Sequence, residues 1–355
     1  MARTTVSVDT IGTGGRIMGL RMWGKALRVI PRLSKEEWDD LDIVARWLVA
    51  TRSAVLVMTF ISAAIAGIMA ARAEMFSLLP WALLAFGLVT AHAGNNLIND
   101  LIDYSRGVDQ DNYYRAKYGP QPLTHGFITV GESRAYAAFT LAVALAVGVY
   151  FVVTVGPTAV YLLVAGAFFV LFYTFPLKYV GMGELAVLIV WGPLMIGGGY
   201  FVITRSWDWN VLLAGLPYAL GVTGVIFGKH IDKIEDDREK KIHTLPVVIG
   251  ERASRAILMT MTLLQYGLVV LLVVTRFFTP AMLVVLVSFP LTVKVFKVYR
   301  RPRPEERPAD YPQDAWPLWF VGNAFIHSRR FGGLFLLGLI ADTVLVLTGV
   351  FPGIV

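Results

Sequence analysis

The chain of 355 residues contains no cysteine. That excludes disulfides, a thiol nucleophile and any cysteine-ligated metal. Charge is scarce as well: 16% of the residues are Asp, Glu, Lys or Arg, against about 25% in ordinary globular domains. Alternating strand patterns are missing, which disfavours a membrane barrel. There is no Ser-His-Asp arrangement, P-loop or dinucleotide-binding glycine pattern, so serine hydrolysis, ATP hydrolysis and nicotinamide chemistry have no support. The first forty-odd residues lack the apolar core of a signal peptide.

What the chain has in excess is apolar sequence. Hydrophobic residues make up 56%, gathered into runs near the roughly 20 residues that cross a bilayer as a helix. Nine such runs occur, at 47–71, 76–98, 136–155, 157–175, 185–203, 211–227, 257–275, 280–298 and 331–351. Pro157 and Pro280 suit a first helical turn. Backbone groups in lipid must bond within their own segment, so the runs are expected as helices. The fold class that follows is an all-α integral membrane protein with nine transmembrane helices.

The basic residues orient these spans. With a cytoplasmic N-terminus, the outer connections carry only Arg72, Arg205 and Arg276, and nearly all other Lys and Arg fall on the inner side. This is the positive-inside pattern. The formal net charge of +7 therefore reads as contact with the anionic cytoplasmic leaflet and with diphosphate, and nucleic acid is not an expected partner. Residues 1–45 form an N-terminal cytoplasmic arm. There Arg21, Lys25, Arg28 and Arg32 would make one basic stripe on an interfacial helix, or else belong to a loosely ordered basic arm. Residues 46–355 form the membrane domain, with 300–317, rich in Pro and charge, as a cytoplasmic loop.

Two polar connections carry the chemistry. The second span runs out through Asn96, Asn99, Asp100, Asp103, Gly107, Asp109 and Asp111. Asn96, Asp100, Asp103 and Gly107 are three or four apart and share one helix face. The sixth span ends in Lys229, His230, Asp232, Lys233, Glu235, Asp236 and Asp237, with Asp232 and Asp236 an i, i+4 pair. In this topology both clusters lie on the same side. Mg²⁺ prefers oxygen ligands and is typically held by one or two carboxylates plus substrate phosphates. Two facing carboxylate clusters at the mouth of an apolar bundle would suit a diphosphate with an apolar tail, and metal and nearby Lys or Arg would stabilise the departing diphosphate. Arg115, Lys117, Lys178 and Lys229 are the candidate diphosphate contacts. An EF-hand fits poorly, because Asp109 and Asp111 are not followed by its glycine and distal glutamate.

Other residues have plainer readings. Arg52, at the start of the first span, could reach the cavity but more simply snorkels to the headgroups. His92, inside the second span, suits either a functional role or a neutral hydrogen-bonded one on a packed face. Glu184 is either a general base or a carboxylate favoured by its helix N-terminus. Tyr173, Trp191 and Tyr200 could shield a carbocation but more simply pack. His125, His230 and His243 read as loop-side and are not expected to ligate a metal.

At these residues the sequence resembles the UbiA superfamily of intramembrane prenyltransferases. The motif N-x-x-N-D-x-x-D-x-x-x-G-x-D stands as Asn96, Asn99, Asp100, Asp103, Gly107 and Asp109, in the form most like the menaquinone and phylloquinone branch. Ala50-Thr51-Arg52, Tyr173-Thr174, Pro176, Gly181, Gly183-Glu184, Gly192-Pro193, and Asp237-Arg238 through Thr244-Leu245 to Gly250 extend the likeness from about Arg46 onward. The resemblance implies helices around a central cavity open sideways to lipid. It also implies Mg²⁺-dependent loss of diphosphate from an isoprenyl diphosphate, followed by attack of an aromatic acceptor carbon. Asp100, Asp103 and Asp109 would then belong to the first metal cluster, with Asn96 and Asn99 in support. Asp232, Asp236 and Asp237 would belong to the second. Two departures stand out: Lys233 occupies the place of the family's earlier aspartate, so that either Asp232 replaces that carboxylate or Lys233 meets phosphate directly, and Gln121 replaces a frequent arginine, whose charge Arg115 and Lys117 could supply. A terpene cyclase on the same scaffold, or a non-enzymatic transporter or lipid-binding protein, are the rival readings.

Overall fold

The computed structural model describes residues 14–108, 121–313 and 315–351; Asp109, Asp111, Arg115 and Lys117 lie outside these. The described residues form helices and turns and no strand. Three short helices come first: α1 (Gly14–Ala26), α2 (Lys35–Asp39) and α3 (Ile43–Ala50). Eight helices long and apolar enough to cross a membrane follow. They are α4 (Ser53–Arg72), α5 (Leu78–Ser105), α6 (Val130–Val155), α8 (Gly183–Thr204), α9 (Trp209–Asp232), α12 (Glu251–Val274), α13 (Pro280–Tyr299) and α14 (Trp319–Leu347). The fourth expected span is a shorter apolar helix, α7 (Pro157–Phe172). At 1.5 Å per residue its 16 residues reach about 24 Å, short of a hydrocarbon core about 30 Å thick. Two short helices, α10 (Ile234–Glu239) and α11 (Leu245–Ile249), lie between α9 and α12.

The first expected span is broken near its start. Helix α3 ends at Ala50, and Arg52 takes a left-handed backbone, φ 54° and ψ 49°. Apolar periodicity cannot reveal such a break, which is held by tertiary hydrogen bonds. Ser53 Oγ donates to the carbonyl of Ala26 (3.1 Å) and Asn96 Nδ2 to that of Thr51 (2.8 Å). Helix α1 stops at Ala26, so Arg28 falls in the turn beyond it and Arg32 in the irregular stretch before α2, rather than on one helical stripe with Arg21 and Lys25. The last span begins at Trp319, well before position 331. Its polar first turns, which depress hydropathy, are absorbed by partners: His327 Nε2 lies 3.0 Å from Thr292 Oγ1 and 3.1 Å from the Tyr266 hydroxyl.

Helix α9 is the most buried of the spans and α6 the least. The reason is side-chain size. Glycines at 215, 221, 224 and 228 keep α9 narrow. A Cβ on Gly228 would stand 2.9 Å from the backbone carbon of Phe320 on α14, so only glycine permits that approach. Outward-facing Phe139, Val153 and Tyr161 are 69%, 78% and 76% exposed, as suits contact with lipid chains. Within the bundle, Phe227, Phe278, Phe320, Phe331 and Phe335 fill the core.

One ion pair fastens the end remote from the motifs. Arg72 Nε, at the end of α4, meets Asp342 Oδ2 of α14 at 2.7 Å, both side chains buried. The same guanidinium donates to the Phe277 carbonyl, and Asp342 Oδ1 accepts the Thr279 N–H. Breaking a buried pair leaves an uncompensated charge, at a cost of about 3–5 kcal/mol. Arg72→Met is therefore expected to destabilise the protein by that amount. Arg72→Met with Asp342→Asn, which keeps an acceptor for Thr279, should recover most of the loss. Thermal unfolding of both variants in detergent measures it.

Candidate active site

Four residues of α5 build one wall. Asn96, Asn99, Asp100 and Asp103 sit at i, i+3, i+4 and i+7, so the helical period turns them to one face. Arg52, carried there by the left-handed break, places Nη2 on Asp100 Oδ1, 3.2 Å from the Asn96 carbonyl and 3.3 Å from Asn99 Oδ1. It does not snorkel to headgroups. A charge inside the bundle finds a buried carboxylate a better partner than a distant interface. Lys178, in the turn Leu177–Val180, reaches Asp103 at 2.9 and 3.2 Å. Asn99 Nδ2 donates to Thr174 Oγ1 (3.1 Å), tying α5 to the same segment. Beside it, the Arg106 guanidinium stacks 3.7 Å from the Phe175 ring centroid. Burial, with the Asp103 charge adding to it, pushes the neighbouring Tyr179 hydroxyl up to about 12.

The end of α9 and the start of α10 supply the opposite wall. Lys229, His230, Lys233 and Asp237 line a polar chamber of about 120 Å³ together with Asn96, Asn99, Asp103 and Lys178. Lys233 Nζ donates to Asp237 Oδ1 at 2.9 Å. His230 Nδ1 lies 2.6 Å from Glu184 Oε1, both residues buried.

Asp232 is not part of this chamber. Its two carboxylate oxygens each accept a backbone N–H, from Phe320 and Val321, at 2.9 Å. It thus caps the first turn of α14, where free N–H groups and the helix dipole favour a carboxylate. Adjacent helical positions point about 100° apart, so Lys233 faces the chamber while Asp232 faces α14. Asp236 likewise does not line the chamber; burial raises its carboxyl above the ordinary range, opposed by Lys233 and Lys240. Of the second acidic cluster, Asp237 is the carboxylate that reaches the chamber.

A second, apolar cavity of about 400 Å³ lies among α5, α6, α7 and α8. His92, Asn95, Tyr173, Val187 and Trp191 border both spaces. His92 Nδ1 is 2.7 Å from Thr59 Oγ1, and its ring meets Trp191 edge-on at 5.3 Å. The polar chamber and the apolar cavity therefore share a wall. Arg52 thus takes the less favoured of its two expected places, and His230, expected on the loop side, lies in α9 and lines the chamber. The triplet Ala50-Thr51-Arg52 marks the first. Nothing local links His230 to Glu184, which stands 46 positions away.

Among the described residues no group of three or more His, Asp or Glu forms a ready-made metal cage. The oxygens of Asp103, Asn99 and Asp237, which line the chamber, nevertheless fit a hard cation such as Mg²⁺, which takes one or two protein carboxylates and completes its shell with water and phosphate; Asp100 does not line the chamber itself but stands on the same face of α5, paired with Arg52, which does. The split roles of Asp232 and its neighbours are testable. Asp232→Ala strands two buried N–H groups and is expected to cost about 1–3 kcal/mol of stability. Inorganic pyrophosphate binding, measured by calorimetry, should stay unchanged. Lost binding at full stability would make Asp232 a ligand instead.

The comparisons agree with this architecture. The family model for the UbiA prenyltransferase family matches residues 60–321. The chain is 28% identical over 222 residues to the UbiA prenyltransferase domain-containing protein 1 homolog of Drosophila melanogaster, covering 61% of this chain and 60% of that protein. It is 24% identical over 253 residues to the 1,4-dihydroxy-2-naphthoate octaprenyltransferase of Bacillus subtilis (strain 168), covering 70% of this chain and 79% of that protein. The chain thus spans about 60% of the length of the first of these relatives. In fold it is similar to a UbiA homolog from Archaeoglobus fulgidus bound to GPP and Mg²⁺, with a TM-score of 0.55 at 17% identity, over 83% of this chain and 99% of that one. The apo structure of a UbiA homolog from Aeropyrum pernix K1 gives a TM-score of 0.57 at 19% identity, over 82% and 98%. With the family model matched across most of its membrane helices, this chain belongs to the UbiA prenyltransferase family.

Proposed function

We propose that this protein transfers a polyprenyl group from an isoprenyl diphosphate to an aromatic acceptor of the quinone-precursor type, with Mg²⁺. The observation that carries the reading is the shared wall between a cation-rich polar chamber and a larger apolar cavity. A diphosphate with an isoprenoid tail is polar at one end and apolar along the rest, and the two spaces accommodate one part each. The relatives' printed names and ligands support the same substrate class.

The chain's own residues have distinct tasks. Arg52, Lys178, Lys229 and Lys233 attract the diphosphate and meet the charge that grows on it as the allylic C–O bond breaks. Arg115 and Lys117 would join them from the connection after α5. Asn96 and Asn99 hold the motif face in register through their bonds to Thr51 and Thr174. Asp100, Asp103 and Asp237 would hold Mg²⁺, aided by Asp109; Asp232 is left to α14. When bound, the ion supplies Lewis-acid stabilisation of the leaving diphosphate. The cavity keeps water from the allylic centre, where it would divert the reaction to hydrolysis. The protein sits in the cell membrane with this chamber toward the cytoplasm and its basic arm, 1–45, against the anionic leaflet.

The test uses purified protein with geranyl diphosphate, Mg²⁺ and 1,4-dihydroxy-2-naphthoate. A prenylated naphthoid product is expected by mass spectrometry, with Asp103→Asn lowering its rate about 10²–10³-fold, the range for losing one preorganised electrostatic contact. A cyclic hydrocarbon formed without acceptor would point to a cyclase. Turnover absent in the wild type and all variants would favour a transporter or lipid-binding protein.

A further inference from the structure

Glu184 and His230 are not explained by diphosphate binding. Glu184 lies in the first turn of α8 and is 2% exposed. A helix N-terminus favours the ionised carboxylate. Gly183 before it lets the turn Leu177–Val180 press close: a Cβ there would stand 3.3 Å from Lys178 Cα. Glu184 Oε1 is 2.6 Å from His230 Nδ1, whereas Oε2 is buried with no hydrogen-bond partner among the described residues. A carboxylate can only accept, so Nδ1 carries the proton and Nε2 holds a lone pair. His230 is 3% exposed yet lines the polar chamber.

We infer that His230 Nε2 is the proton acceptor for the aromatic substrate, with Glu184 as the residue that positions it. The inference rests on the transferase reading above. Three features support the assignment. Glu184 Oε1 holds the imidazole by Nδ1, which leaves Nε2 as the ring nitrogen turned from the carboxylate. This is the logic of a base oriented by a buried carboxylate. Secondly, Lys178, Lys229 and Lys233 line the same chamber as His230, so a diphosphate drawn to them would lie beside the imidazole. Thirdly, His230 shares the chamber with His92, Tyr173 and Trp191, which border the apolar cavity. It therefore stands near the place where an allylic carbon, between head and tail, has to lie. Trp191 Nε1 is a buried donor without a partner at this boundary, available to an acceptor oxygen.

The acceptor's ring O–H bond breaks and its proton goes to Nε2. The oxygen's electrons form a carbonyl while the ring π pair makes the new C–C bond. The allylic C–O bond breaks, and its electron pair leaves with the diphosphate. The newly bonded carbon then loses its proton to solvent, or its carboxylate as CO₂; the electron pair left behind restores the aromatic ring, and the carbonyl oxygen takes a proton back from Nε2.

His230→Ala is expected to lower kcat for transfer from geranyl diphosphate to 1,4-dihydroxy-2-naphthoate by about 10²–10⁴-fold, the usual worth of a positioned base. The KM for geranyl diphosphate should hold, and added imidazole should restore part of the rate. The loss should shrink across a series of hydroxyaromatic acceptors as their hydroxyl becomes more acidic, since such acceptors need less help. Glu184→Gln should show the same dependence on acceptor acidity, and Glu184→Asp should recover part of it. Pyrophosphate binding by calorimetry reports that each variant is folded; if His230→Ala fails there, His230→Asn and Glu184→Gln carry the test. Full transfer by a folded His230 variant overturns the base alone, as does a loss that is equal across all acceptors and unresponsive to imidazole. A wild type that uses no hydroxyaromatic at all overturns the transferase reading and the base together.

Discussion

A charge placed among apolar helices has to be answered by another charge, because an isolated ion there loses its hydration and gains nothing in return. Much of this structure is arranged around that requirement. Arg52 answers Asp100, Lys178 answers Asp103 and Lys233 answers Asp237 at one end of the bundle; Arg72 answers Asp342 at the other. The first, second and fourth of these pairs join segments distant in the chain. They set which helix ends meet more than they add to stability, since desolvation offsets much of their attraction. At the chamber end the pairs hold lysines and an arginine ready for an anion. Under the proposed function, a diphosphate arriving there would meet donors whose positions are already set, which is the basis of electrostatic preorganisation.

Helix α9 translates that arrangement into a site. Its glycines admit α14 to van der Waals distance, and its last residue, Asp232, takes two N–H groups of α14. That cap fixes the roll of α9 about its axis. Once the roll is fixed, Lys229, His230 and Lys233 face α5 across the chamber, and the chain turns at Lys233 so that Asp237 joins them. The carboxylate that looked like a metal ligand is the anchor that aims its neighbours. Across the chamber, Asn96 does a comparable task for α5 by donating to Thr51, beside the break that delivers Arg52.

The fold was largely legible because lipid allows few choices. Long apolar runs separated by basic connections have to be helices, and six of the nine expected runs correspond closely to spanning helices; a seventh, 157–175, is the shorter α7. The other two differ for local reasons. Arg52 interrupts a run that hydropathy treats as continuous. Residues 319–330 carry Asn323, His327, Arg329 and Arg330, polar enough to hide a helix start, although His327 is buried among Tyr266, Ser288 and Thr292. The first motif was legible since its spacing of three and four survives in any helix. The second was not, because an aspartate, a lysine and a further aspartate compete for one face and the winner depends on what α14 offers.

The sequence by itself therefore determined an all-helical membrane protein, one face of α5 bearing Asn96, Asn99, Asp100 and Asp103, and a family motif to match. These depend on local periodicity and on the solvent, which a single chain records directly. Only the tertiary structure decided that Arg52 enters the site, that Asp232 leaves it for α14, and that Glu184 meets His230 across 46 positions. Each of these depends on how a helix is rolled against its neighbours. Roll is settled by close packing at glycines and by hydrogen bonds between distant segments, neither of which leaves a local pattern.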